Sequence, residues 1–218
     1  MNDAAGRGIF VVLEGGEGTG KTTQVRALAA RLRESGREVV ETFEPGDGVV
    51  GGRIRELLLD PGLAPEPVTE VLLYAADRAE HVRTVVRPAL ARGADVVCDR
   101  FLWSSLAYQG IARGLGARLV ESANAAAVDG CEPDVTIVLD VDPGVGLVRA
   151  GRACGRAPDR IESESLEFHE LVRRGFRDLA AVNGAPVVDA GRGVDEVGES
   201  CWDLVRELLA TRSGGDRR

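Results

Sequence analysis

Five apolar residues, Ile9-Phe10-Val11-Val12-Leu13, run almost directly into the stretch GGEGTGKTTQ at 15–24, and an amphipathic stretch follows without a linker. Glycines at 15, 16, 18 and 20 strip the backbone of side chains between a strand-like and a helix-like segment. A chain of this kind must turn tightly there, and its N–H groups are left free to surround something small and anionic.

Residues 15–22 read G-x-x-x-x-G-K-T in strand–loop–helix context, which specifies a P-loop and so a nucleoside triphosphate. The positive end of the following helix adds to the field, Lys21 reaches the β- and γ-phosphates, and the Thr22 hydroxyl can ligate Mg²⁺. Gly15, Glu17, Gly18, Thr19, Gly20, Lys21, Thr22 and Thr23 form the expected phosphate-binding set.

Further strand candidates are EVVETF at 38–43, DVVCD at 95–99, DVTIVLDV at 134–141 and PVVDA at 186–190. With the first run at 9–13 they make five. They are apolar almost throughout, as strands buried on both faces of a parallel sheet are, and helical patterns separate them. The expected fold is α/β: a three-layer P-loop NTPase fold with a five-stranded parallel sheet flanked by helices. One domain over residues 1–218 accounts for the length. The first helix is predicted from about Gly20 to Ser35, ended by Gly36. Others are predicted over 50–59, 67–91, 104–128, 159–183 and 194–211, with breaks inside the longer ones and a frayed tail over 213–218.

Partners are bounded by charge. A net charge of −8 argues against a chain that coats a nucleic-acid polymer, so any cationic site is local. One candidate is RAGRACGRAPDR at 149–160, where four arginines fall within a dozen positions. No apolar run approaches the about 20 residues needed to span a bilayer, and MNDAAGRG lacks the pattern of a signal peptide, so a soluble, cytoplasmic protein is expected. Four cysteines lie far apart with no C-x-x-C pair, which excludes the usual metal and redox spacings.

A P-loop alone does not separate kinases from GTPases and motor ATPases. The chain has no N-K-x-D to read guanine and no LSGGQ-like segment of a transporter ATPase. The strand VVCD ends in Asp99, which would emerge at the carboxyl edge of the sheet to hold Mg²⁺ directly or through water, and Arg100 beside it offers a guanidinium for phosphate.

With these residues in place, the chain resembles the thymidylate kinase family. The resemblance rests on LEGGEGTGKTTQ, EPG at 44–46, LLYAADRAEH at 72–81, DRFLWSSLAYQG at 99–110, PDVTIVLDVDP at 133–143 and DRIESESLEFH at 159–169. It implies ATP as donor and dTMP as acceptor, and a homodimer. It gives Glu17 to the 3′-hydroxyl of dTMP, Glu44 to the acceptor side, Tyr74 to stacking on thymine, Arg78 to the acceptor nucleotide and Arg100 to the phosphates. Ser105, Tyr108 and Gln109 fall on the thymine and deoxyribose segment, and Arg192 lies where adenine is expected. Residues 149–160 resemble the lid, with Gly151, Gly155 and Pro158 interrupting any helix. Because the P-loop itself carries no arginine, Arg152 and Arg156 become the candidates for transition-state charge, with Arg149 and Arg160 in structural roles. His81 and His169 receive no catalytic role.

The resemblance is incomplete on the acceptor side. Phe43 stands where bacterial relatives usually have arginine, Asp47 replaces a glycine, and Trp103 stands where many carry an acidic residue. Two alternatives therefore stay open: the same chemistry on another pyrimidine monophosphate or a nucleoside, or a P-loop protein that binds ATP without transfer.

Overall fold

The computed structural model describes residues 6–154 and 158–215, with side chains for 6–151 and 158–212. Five parallel strands, β1 (Phe10–Glu14), β2 (Val39–Phe43), β3 (Asp95–Asp99), β4 (Val135–Asp140) and β5 (Val187–Asp189), lie in the order β2-β3-β1-β4-β5. The expected five-stranded sheet is present, each strand within a residue or so of its predicted bounds.

Side-chain alternation along β1 explains the three layers. Val11 and Leu13 face one side, where they meet Val25, Leu28 and Leu32 of α1 (Lys21–Glu34) and Cys201 and Val205 of α9 (Val194–Gly215). Phe10 and Val12 face the other side, against Val82, Val86 and Leu90. A strand buried on both faces needs apolar residues at every position, which is what IFVVL supplies.

The stretch predicted as one helix over 67–91 is continuous but not uniform. α3 (Pro67–His81) widens into a π-helical turn over Val82–Val86 and continues as α4 (Arg87–Ala91). Pro88 has no N–H and its ring would collide with the carbonyl four residues earlier in a regular helix; the widened turn accommodates it. The 104–128 prediction divides into α5 (Leu102–Ser105), a π-helical run over Leu106–Ala112 and α6 (Ala117–Val128). Gly114 and Gly116, at φ 74° and 78°, turn the chain between the last two.

Three boundaries differ from expectation. α8 (Leu166–Asn183) begins at 166 rather than 159, because the Asp159 carboxylate accepts from the N–H groups of Ile161 and Glu162 and holds that segment in turns. Gly151 does not interrupt α7 (Pro143–Cys154): an interior glycine costs only about 1 kcal/mol against alanine, and its neighbours Val148, Arg149 and Ala150 sustain the helix. α9 continues to Gly215, past both its predicted end at 211 and the start of the predicted tail. The remaining helix, α2 (Gly48–Leu59), follows β2 closely.

The connection from β1 leads outward to β2, whereas β3 leads back across to β4 on the other side of β1. Ligands in open parallel sheets bind above such a switch point. The floor there is set by a close backbone approach: a Cβ on Gly18 would lie 1.8 Å from the Gly146 carbonyl oxygen, and one on Gly146 would lie 2.2 Å from that of Glu17. Gly146→Ala should therefore destabilise the protein by about 1–3 kcal/mol through overpacking, against a helix-propensity gain of about 1 kcal/mol. Urea unfolding reads this directly, and an unchanged or higher midpoint would rule out the close contact.

Candidate active site

The glycine loop joins β1 to α1 through three positions that only glycine adopts easily, Gly15, Gly18 and Gly20, at φ 145°, 63° and 88°. Lys21 opens α1 and folds back along the loop, its Nζ donating to the carbonyls of Gly16 at 2.7 Å and Gly15 at 3.1 Å. The neighbouring Thr22 hydroxyl donates to Asp99 Oδ2 at 2.6 Å, so a residue from α1 and one from the end of β3 present hard oxygen atoms to the same point. That donor chemistry suits Mg²⁺, which takes one or two protein oxygens and completes its shell with water and phosphate.

Arg100 follows β3 with φ 73°, an uncommon conformation for a residue with a Cβ. Several bonds hold it there. Its N–H donates to the Leu13 carbonyl at 2.9 Å, and its guanidinium donates to the Gly15 carbonyl at 2.9 Å and to Glu17 at 2.7 Å. The buried Glu14 carboxyl accepts from the N–H groups of Phe101 and Ser104 and from the Ser104 hydroxyl, which fixes the turn after Arg100 from below. Burial pushes Glu14 up to about 7 despite these donors.

Glu17 behaves in the opposite way. Burial would raise it, but the Arg100 and Lys21 charges and the Tyr108 hydroxyl, donating at 2.7 Å, outweigh that and hold the carboxyl down at about 2. The Arg100 guanidinium also lies 5.1 Å from the centre of the Tyr108 ring. Three residues expected from separate segments are thus one unit.

All of this opens into a cleft of about 930 Å³, at the upper end of the usual range for ligand sites. Tyr74 lines it from α3, Ser105 from the end of α5 and Gln109 from the π-helical run that follows. Thr23 also lines it, as does Arg192, which is bonded to the Asp189 carbonyl and the Ser200 hydroxyl. Glu44 and Arg78 form its buried wall. Arg78 is 1% exposed and donates from Nε to Glu44 at 2.8 Å, from Nη1 to Ser105 and Asn124, and from Nη2 to the Phe101 carbonyl. Arg78 is therefore a buried, fully bonded residue and not part of a solvated helix face. Gln109 donates to Glu70 at 2.7 Å, which Arg160 also pairs with at 2.7 Å while donating to the Leu58 carbonyl.

Arg149 bonds the Ala190 carbonyl at 2.7 Å and also lines the cleft, so it sits at the site although expected only to support it. Arg156 and the side chain of Arg152 lie outside the described residues. His169 is buried behind the loop, where burial lowers its pKa.

The departures from the family pattern resolve differently. Trp103 does not line the cleft; it packs among the side chains joining α5, α6 and α8. Asp47 likewise is not in the cleft wall, and its carboxylate accepts from the Thr42 hydroxyl. Phe43 is 42% exposed at the cleft, and the guanidinium of Arg55 lies 5.7 Å from its ring centre while donating to the Pro45 carbonyl at 2.6 Å. Sequence reading missed Arg55. GGRIREL contains two arginines two positions apart, and only the packing of α2 on the loop after β2 distinguishes Arg55 in the cleft from Arg53, which pairs with Glu56 on the surface.

Lys21 gives the site a pH signature. Burial first, and the Arg100 charge second, push the ammonium down to about 8, against the pull of Asp99, Glu17 and Glu14. A triphosphate selects the protonated form, so affinity for ATP should fall as pH rises, approaching a tenfold loss per unit above about 8, with proton uptake on binding. Calorimetry in buffers of different ionisation enthalpy measures both. Constant affinity from pH 7 to 9 without proton uptake would refute this.

Known proteins resemble this chain in sequence and in fold. The profile of the thymidylate kinase family matches residues 13–201. A thymidylate kinase of Deinococcus radiodurans is 49% identical over 203 residues, covering 92% of this chain and 98% of that protein. One from Synechococcus sp. (strain JA-3-3Ab) is 48% identical over 203 residues, with 92% and 97% covered. The crystal structure of thymidylate kinase from Ehrlichia chaffeensis superposes with a TM-score of 0.75 at 30% identity, covering 92% of this chain and 99% of that one. On its sequence and its fold, the chain belongs to the thymidylate kinase family.

Proposed function

We infer that this protein transfers the γ-phosphoryl group of ATP to dTMP, giving dTDP and ADP, as a Mg²⁺-dependent cytoplasmic enzyme. Membership of the family supports the reaction. The observation that carries the reading for this chain is the double attachment of Arg100 to the Gly15 carbonyl and to Glu17. One guanidinium thereby stands where the phosphate loop meets the rest of the cleft, and it can bridge donor and acceptor phosphates.

On the donor side, backbone N–H groups of the loop and Lys21 would hold the β- and γ-phosphates, and Arg192 would lie along the adenine. Thr22 and Asp99 would hold Mg²⁺, which neutralises charge on the phosphates when bound. On the acceptor side, Tyr74 would stack on thymine and Glu17 would accept from the 3′-hydroxyl. Tyr108, tied to Glu17, would leave no room for a 2′-hydroxyl. Ser105 and Gln109 complete the base pocket, with Arg78 and Glu44 behind it. Phosphoryl transfer asks the protein mainly for positioning and charge, and no strong base is required. Arg152 and Arg156 are our candidates for lid residues that act in the transition state. Exposed Val68 and Leu72 on α3 and Leu119 on α6 support a homodimer through these helices.

A second reading, another pyrimidine monophosphate as acceptor, is favoured by Phe43 alone. Arg55 weighs against it, because it returns a cation to the same part of the cleft. An ADP-release assay with ATP, Mg²⁺ and a panel of monophosphates and nucleosides tests both. Turnover with dTMP should exceed that with dUMP and all others; activity confined to a different acceptor would overturn the assignment.

Arg55→Ala should raise KM for dTMP about 10–100-fold, the worth of a charge-assisted contact, with a smaller change in kcat. Adding Phe43→Arg to that variant should recover most of the loss. If Arg55→Ala leaves KM for dTMP unchanged, the cation does not serve the acceptor phosphate.

A further inference from the structure

His81, the last residue of α3, is 1% exposed, and both ring nitrogens have partners: Nδ1 lies 2.8 Å from Glu44 Oε1 and Nε2 lies 2.6 Å from Thr42 Oγ1. The other bonds of those partners decide where the protons are. Glu44 receives Arg78 Nε on its second oxygen and turns its first to Nδ1. Thr42 has a single hydroxyl proton and gives it to the half-buried carboxylate of Asp47. With that proton committed, the Thr42 oxygen faces Nε2 as an acceptor. Each nitrogen thus faces an acceptor.

We propose that His81 is a buried imidazolium that acts as a positioning residue for the acceptor side of the cleft, tying Glu44 to Asp47 through Thr42. The groups around the ring are consistent with a cation. Glu44 comes from the loop after β2, and Asp47, through Thr42, from the start of α2. Arg78 and Asp77 come from α3, and Asp77 accepts from the Gly46 N–H at 2.9 Å. α2 brings Arg55 to the Pro45 carbonyl, α6 contributes the neutral Asn124 amide, and β3 contributes Cys98, paired in register with Thr42 and kept as a thiol by burial.

The loop at 44–46 is thereby held at three successive residues: Glu44 by Arg78 and His81, Pro45 by Arg55, and Gly46 by Asp77. Asp47, where relatives usually have glycine, ends the chain of bonds with an atom that can only accept. An asparagine there can donate to Thr42 instead, so that the Thr42 proton turns to Nε2 and the ring is released to a neutral form protonated on Nδ1 alone.

The sequence contains two histidines, so ¹⁵N-histidine labelling gives two ring systems, told apart by a His169→Gln variant. At pH 7.5, long-range ¹H–¹⁵N correlations should show both His81 nitrogens protonated in the wild type. In Asp47→Asn, and in Thr42→Val as a second variant, Nε2 should move to the unprotonated position. A singly protonated ring in the wild type, or no change in either folded variant, would overturn the proposal.

The kinetic consequence rests on the acceptor-side reading of the cleft given above. Asp47→Asn should raise KM for dTMP about 2–10-fold, the worth of one neutral hydrogen bond, with kcat unchanged. A changed ring with unchanged KM would overturn the positioning role. Inactivity of the wild type toward dTMP would count against the assigned reaction and leave the ring measurement intact.

Discussion

The parallel pairing of β1 with β3 is the constraint on which the site depends. Leu13 is in register with Asp99, and the Leu13 carbonyl accepts from the N–H of Arg100 just beyond. That single alignment sets Glu14 beneath the turn at Phe101–Ser104, Asp99 against Thr22, and the Arg100 guanidinium against the first carbonyl of the glycine loop. A one-residue slip would turn Asp99 to the other face of the sheet and break all three contacts together. The positive φ of Arg100 is maintained because its backbone and side chain are both anchored across this pairing.

The electrostatics follow from burying opposite charges together. The chain is acidic as a whole, yet Lys21, Arg55, Arg100, Arg149 and Arg192 converge on one cleft. They are accompanied by Glu17, Glu44 and Asp99, which keep the cations oriented before any nucleotide arrives. Such pairing is costly to assemble, since each ion loses hydration, and much of it is recovered through hydrogen bonds that leave few polar atoms without partners. Glu17 and Glu14 make the contrast clear. Both are buried, but the one beside two cations is held at about 2, while the one held chiefly by neutral donors rises to about 7.

Much of this was legible in the sequence, for identifiable reasons. The glycine loop and the five strands are local patterns, since a strand covered on both faces must be apolar along its length and a phosphate cradle must lack side chains. Resemblance carried the reading further, to Glu17, Tyr74, Arg78 and Tyr108, all of which meet at one cleft. The π-helical turns were not legible, because they depend on how Pro88 and the run after α5 are accommodated by neighbouring helices. The delayed start of α8 depended on which backbone groups the Asp159 carboxylate reached. Arg55 and the bonding of His81 were hidden for the same reason, since both contacts join residues that only tertiary packing brings together.

The part of the cleft around Phe43 shows how such contacts change the meaning of a substitution. Taken one at a time, Phe43 removes a cation and Asp47 adds an anion, and both point to a weakened phosphate site. In the folded chain the cation comes from α2 instead, because Arg55 packs over the Phe43 ring, and the aromatic face that replaced an arginine becomes the surface that positions another. The carboxylate of Asp47 is not in the cleft wall and is tied to the Thr42 hydroxyl. The net field in this part of the cleft is therefore governed by where the charges end up rather than by which positions carry them. A sequence can depart from its family at two neighbouring residues and still present a guanidinium to the same part of the cleft.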